Sequence, residues 1–228
     1  MPRRIFCAID TADLTQALRL VKKLSVVPLH YKLGLKFFSA QGLAGVEKIR
    51  AVAGRKSDIF LDLKFHDIPN TVSGAVRAAL KAEPEFMTVH ASGGKAMIQA
   101  AVKAAAGSGA KILAVTVLTH LDTDDLKSIG QQTPVEGQVL RLARLAQEAG
   151  ADGVVCSPHE IELLRHKMGK DFLLVVPGIR PAGAAGDDQK RTLTPEKALK
   201  LGADYLVIGR PITAAPDPVV AAKNILMG

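Results

Sequence analysis

The 228 residues carry 30 Lys and Arg against 22 Asp and Glu, a net charge of +8, with 48% hydrophobic and 23% charged residues. That composition describes an ordinary globular chain with one large core. No apolar run reaches the roughly 18 residues a membrane span needs, and MPRRIFCAID at the start reads as a first strand, not a signal peptide.

The basic excess is dispersed over Arg3–Arg4, Lys22–Lys23 and Lys190–Arg191, Trp is absent, and aromatics make up only 4%. Single-strand binding needs aromatic stacking platforms. A small anionic ligand therefore fits better than nucleic acid, with solvated surface charge making up the rest.

Ile5–Asp10 is the first strand-like run and ends in Asp10. Leu14, Leu18, Val21 and Leu24 then recur at helical spacing. Tyr31–Phe37 is the second run, with Lys32 near its start. Ile59–Phe65 is the third and supplies Asp62 and Lys64. Strand side chains alternate, so these two share one face while Leu61, Leu63 and Phe65 take the other. Buried charges are costly unless paired. The pattern therefore reads as an ion pair at a strand end or, preferably, as a general acid held among carboxylates.

Asp67-Ile68-Pro69-Asn70-Thr71 opens a helix: Pro suits the first turn, and the aspartate before it can cap. Phe86–Ala91 carries His90 near its end, a residue read as supporting the reactive groups. Ile112–Thr119 ends beside His120. Val139, Leu142, Leu145 and Ala146 mark another helix. Gly150-Ala151-Asp152 leads into Gly153–Ser157. Phe172–Gly178 runs on into Ile179-Arg180. Gly202-Ala203-Asp204 leads into Tyr205–Arg210. Cys7 and Cys156 both fall in strands, which predicts buried free thiols in a reducing cytoplasm.

Eight βα units of about 28 residues each predict an α/β fold, a single (β/α)8 barrel spanning 1–228 as one domain. The open doubly wound alternative lacks a G-x-G-x-x-G after its first strand. In a barrel the active site lies at the C-terminal strand ends. Asp10, Lys32, Asp62 and Lys64 would form an alternating array there, each ammonium between carboxylates. Nearby negative charge keeps a lysine protonated, so Lys64 would donate a proton and not form a Schiff base.

Gly209-Arg210 suits the phosphate site built after strands 7 and 8, with Pro211-Ile212-Thr213 starting a short helix. Residues 178–192, GIRPAGAAGDDQKRT, form the longest loop of small and polar residues and read as a lid bringing Arg180 and Gln189 to the ligand. No Cys/His cluster supports zinc.

DLKFHDIPNT at 62–71 resembles the signature of the orotidine 5′-phosphate decarboxylase family in its bacterial form. The resemblance extends to AID at 8–10, YKLGLKFF at 31–38, TVLTH at 116–120, PGIRPAG and DQKR within 177–191, and IGRPIT at 208–213. It implies decarboxylation of orotidine 5′-monophosphate to UMP and CO2, the last step of de novo UMP synthesis, without metal or organic cofactor.

It further implies Lys64 as the proton donor to C6 and Asp62 beside the departing carboxylate. Asp10 and Lys32 would complete the charge network and bond the ribose. Thr119 would lie near the pyrimidine, and Arg180, Gln189, Gly209 and Arg210 would meet the phosphate and form the lid. Asp67 and Thr71 would be contributed across a homodimer interface. The Mg²⁺-dependent hexulose-phosphate synthase and keto-gulonate-phosphate decarboxylase enzymes are the nearest alternative, since they share Asp-x-Lys-x-x-Asp.

Overall fold

The computed structural model describes residues 4–54, 56–131, 133–180 and 193–227. Eight strands, β1 (Ile5–Ile9), β2 (His30–Gly34), β3 (Ile59–Phe65), β4 (Phe86–His90), β5 (Lys111–Val115), β6 (Gly153–Val155), β7 (Leu173–Val176) and β8 (Tyr205–Ile208), pair in sequence order into a closed parallel barrel. The eight-stranded barrel expected from the sequence is therefore borne out. Closure comes from β1 pairing with both β2 and β8.

Between the strands run α1 (Leu14–Leu24), α2 (Leu35–Ala53), α3 (Pro69–Ala79), α4 (Lys95–Ala105), α5 (Thr123–Ser128), α6 (Val135–Glu148), α7 (Ile161–Met168) and α8 (Pro195–Lys200); α9 (Arg210–Thr213) and α10 (Pro218–Met227) follow β8. No described helix is long and apolar enough to cross a membrane.

Strand alternation splits the interior into two buried clusters. The larger joins outward-facing strand residues such as Ile5, Cys7 and Ile9 to the helices. The smaller fills the barrel with Phe6, Phe60, Phe86, Leu113, Val175 and Val207. Its aromatic rings pack edge to face, with Phe6–Phe60 centroids 5.5 Å apart and Phe86–Tyr205 5.0 Å apart. Such pairs contribute about 0.5–1.5 kcal/mol each beyond their buried area. They form a packed floor beneath the mouth.

The two Gly-Ala-Asp turns do the same job. Asp152 accepts from the Ile112 N–H on β5, and Asp204 accepts from the Leu174 N–H on β7, both at 2.8 Å. Each carboxylate thus satisfies the start of the neighbouring strand.

Most strands end one or more residues earlier than expected, and three differences from the expectation bear on the candidate site residues. β2 stops at Gly34, and Leu35-Lys36-Phe37 already belongs to α2; a short apolar run does not distinguish strand from helix. β5 stops at Val115, so Thr119 lies in the following loop. Asp67 does not cap α3: the cap position is Ile68, without a side-chain bond, and the Asp67 carboxylate accepts instead from the Ile68 N–H at 2.6 Å. Pro69 does open the helix, where its missing N–H is no loss.

Candidate active site

A cavity of about 780 Å³ opens at the C-terminal ends of the strands. Asp10, Lys32, Asp62, Lys64, Thr119, Arg180, Gly209 and Arg210 all line it. Its apolar wall includes Phe60, Val115, Val155 and Val207. Asp67 and Thr71 lie outside it and are exposed. Gln189 and the lid segment 181–192 fall outside the described residues.

Asp62 is the hub. It is 8% exposed, and two ammonium groups reach it: Lys64 Nζ at 2.7 Å from Oδ1 and Lys32 Nζ at 3.3 Å from Oδ2. The Thr88 hydroxyl donates to Oδ1 at 3.0 Å. Burial alone would push the Asp62 carboxyl upward. Lys32, Lys64 and the hydrogen bonds from Lys64 and Thr88 together outweigh burial and hold it below the usual carboxylate range. The group is therefore a fixed anion between two cations.

The alternating array is corrected in one respect. Asp10 sits on the exposed rim one residue past β1 and makes no ion pair within 4.0 Å to any described residue. Lys32 turns to Asp62 instead, so among the described residues each lysine meets one carboxylate, not two. The Lys-Asp-Lys triad retains one excess positive charge, which suits an anionic substrate.

Lys64 has a backbone φ of 50°, in the left-handed region that non-glycine residues rarely adopt. The β3–β4 register shifts there, between Leu61 and Phe65. Backbone strain of this kind costs on the order of 1–3 kcal/mol and persists where surrounding structure enforces it. Asp62 and Lys64 nonetheless both line the cavity, while Leu61, Leu63 and Phe65 pack on the outer cluster, as the expected alternation requires.

The half-buried His90 ring lies 5.3 Å from that of His66. Burial first, then the charges of His66 and Lys64, hold His90 below the usual histidine range. The His66 ring accounts for part of that environment.

At the other end of the cavity, Arg180 N–H bonds the Leu193 carbonyl at 3.0 Å and Ile179 bridges Leu193. This ties together the two ends of the segment read as a lid. Gly209 and Arg210 join β8 to α9, the short helix expected after strand 8. Sequence reasoning passed over Gly34 and Thr88; Gly34 lines the cavity, as does Cys156, and Thr88 stands behind it, bonded to Asp62.

Both cysteines are buried and free, as expected. Burial raises Cys7 to about 12, and Cys156 is likewise pushed up, first by burial.

Fold and mouth together define a (β/α)8-barrel enzyme whose site is organised around a Lys-Asp-Lys triad centred on the buried Asp62. The chain belongs to the orotidine 5′-phosphate decarboxylase / HUMPS family, whose profile matches residues 3–225. It is 50% identical to the orotidine 5′-phosphate decarboxylase of Moorella thermoacetica, over 97% of this chain and 90% of that protein. It is also 50% identical to that of Paramagnetospirillum magneticum, over 97% and 96%. The crystal structure of orotidine 5′-phosphate decarboxylase from Lactobacillus acidophilus superposes with a TM-score of 0.86 at 39% identity, covering 99% of this chain and 98% of that one.

Proposed function

We propose that the protein decarboxylates orotidine 5′-monophosphate to UMP and CO2, closing de novo UMP synthesis, with Lys64 as the proton donor and without metal or organic cofactor. The observation that carries this reading is the Lys64–Asp62–Lys32 triad at the cavity floor. The C6–carboxylate bond breaks, CO2 leaves, and the electron pair stays on C6. The pyrimidine ring delocalises that pair poorly, so it must be met by charge already in place. The Lys64 ammonium supplies that charge, then gives its proton to C6 and is reprotonated from water. Asp62 lies beside the departing carboxylate and holds the Lys64 ammonium in place at 2.7 Å.

In this reading Asp10 and Lys32 bond the ribose hydroxyls and Thr119 meets the pyrimidine. Arg180, Gln189, Gly209 and Arg210 hold the phosphate and close the lid. Binding energy at the phosphate, remote from C6, then drives closure and water exclusion. The enzyme works as a homodimer in the cytoplasm, and Asp67 and Thr71 of the partner subunit complete each site. Their exposure, with that of the neighbouring Ile68 at 66%, supports a covered interface there.

The test is ultraviolet absorbance of orotidine 5′-monophosphate incubated with the protein and EDTA. Loss of the orotate-type absorbance with formation of UMP is expected. No turnover by folded protein, with turnover of a ketose or keto-acid phosphate on adding Mg²⁺, would move the chain to the metal-dependent branch.

A further inference from the structure

Thr88 is the middle residue of β4, and its side chain is wholly buried. It does not line the cavity, yet one oxygen serves both groups that matter most. Its hydroxyl proton goes to Asp62 Oδ1 at 3.0 Å, and its lone pair accepts the backbone N–H of Lys64 at 2.9 Å.

The position of these bonds is informative. Leu61 pairs with Met87 and Phe65 with Val89, so four steps along β3 pass only two steps along β4. The extra chain is the segment holding Asp62 and Lys64. Within it the Lys64 N–H is met by a side chain of β4. Lys64 is also the residue at φ 50°. A left-handed lysine persists only where neighbours over-determine it. Thr88 provides such a constraint from below, because a buried N–H left without an acceptor is strongly disfavoured.

We infer that Thr88 is a positioning residue: its hydroxyl locks the Lys64 kink and the rotation of the Asp62 carboxylate, and so fixes where the Lys64 ammonium stands in the cavity. Its kinetic consequence rests on the decarboxylation proposed above; its structural consequence does not. The role needs a group that donates and accepts at once from a short stem. Serine meets that requirement; valine and alanine do not.

The experiment compares Thr88→Val with wild type and Thr88→Ala with Thr88→Ser. Each pair differs chiefly in the hydroxyl, and the second pair serves if the valine variant fails to fold. Melting temperature, kcat, KM and a crystal structure of each folded variant are measured. Loss of the hydroxyl is expected to lower kcat by on the order of 100-fold, the scale of a 1 Å misplacement, with KM changed less than about threefold. Thr88→Ser is expected to keep most of the activity. In the structures without the hydroxyl, Lys64 leaves the left-handed region and its contact with Asp62 lengthens.

Equal kcat with and without the hydroxyl, or an unmoved Lys64 in the crystal structures, would overturn the inference. If wild-type protein fails to decarboxylate orotidine 5′-monophosphate, the functional reading falls, and the crystal structures alone decide the role of Thr88.

Discussion

The Lys32 ammonium occupies the space that a β-carbon on Gly34 would need, with Nζ 2.9 Å from that position. Gly34 has extended backbone angles, φ −97° and ψ −173°, which any residue adopts. Alanine at 34 therefore meets no backbone strain, only the flexible end of Lys32. The side chain yields, and its 3.3 Å contact with Asp62 opens. Gly34→Ala is expected to leave the melting temperature within about 2 °C of wild type. It should lower kcat/KM by about tenfold, equivalent to about 1.4 kcal/mol. An unchanged kcat/KM would mean that Lys32 acts from more than one position.

Gly153 presents the opposite case. A β-carbon there would lie 2.3 Å from the Leu173 carbonyl oxygen, a backbone atom of the paired strand. That oxygen cannot step aside without parting β6 from β7. Gly153→Ala is expected to destabilise the barrel by ~1–3 kcal/mol, seen as a drop of several degrees in a thermal melt followed by circular dichroism. A melt matching wild type would show that the barrel gives more readily at this seam than close packing allows.

His90 makes stability depend on pH. Its folded value is depressed, first by burial and then by His66 and Lys64, with Asp62 pulling the other way. An unfolded histidine titrates near 6.5. Below about 6.5 the unfolded chain takes up a proton that the folded chain resists, so stability falls as pH drops through that window and is unaffected above it. Melting temperatures measured from pH 5 to 8 should show a shallower acid slope in His90→Gln than in wild type, with the two curves running parallel above about pH 7. Identical slopes would remove His90 as the cause.

The same residues show what a linear sequence reveals. Lys32, Asp62 and Lys64 stand out because charge in the middle of an apolar strand demands a partner or a task. Most of the eight strands stand out because short apolar runs alternate with stretches of helical rhythm, two of them entered through Gly-Ala-Asp turns. The end of β2 does not, because Leu35-Lys36-Phe37-Phe38 extends the apolar run into α2. Gly34 and Thr88 are invisible for a different reason. A glycine has no side chain to notice, and threonine is an ordinary strand former. Their meaning arises only when Lys32 is placed beside Gly34 and the shifted register sets Thr88 beneath Lys64.

The thiols offer a check on packing. Cys7 is fully buried and raised to about 12 by burial. Cys156, though it borders the cavity, is 1% exposed and also raised. The thiolate is the reactive form, so neither cysteine should react with a chromogenic disulfide reagent in native protein at pH 8. Both should react in guanidinium chloride. Rapid labelling of a native thiol would show that the cavity wall opens.

Asp67 decides whether each site is built by one chain or two. Within its own chain the carboxylate turns to the Ile68 N–H, exposed and outside the cavity, while Lys64 points into it. If sites are shared, Lys64→Ala and Asp67→Ala dimers are each inactive because every site lacks one group. When the two variants are mixed and re-equilibrated, about half of the dimers are mixed, and in each of these one site of two holds both native groups. About one quarter of wild-type activity should therefore return, growing as subunits exchange. A mixture that never exceeds the sum of its parents, although mass spectrometry shows mixed dimers, would place Asp67 in its own subunit's site or outside the chemistry altogether.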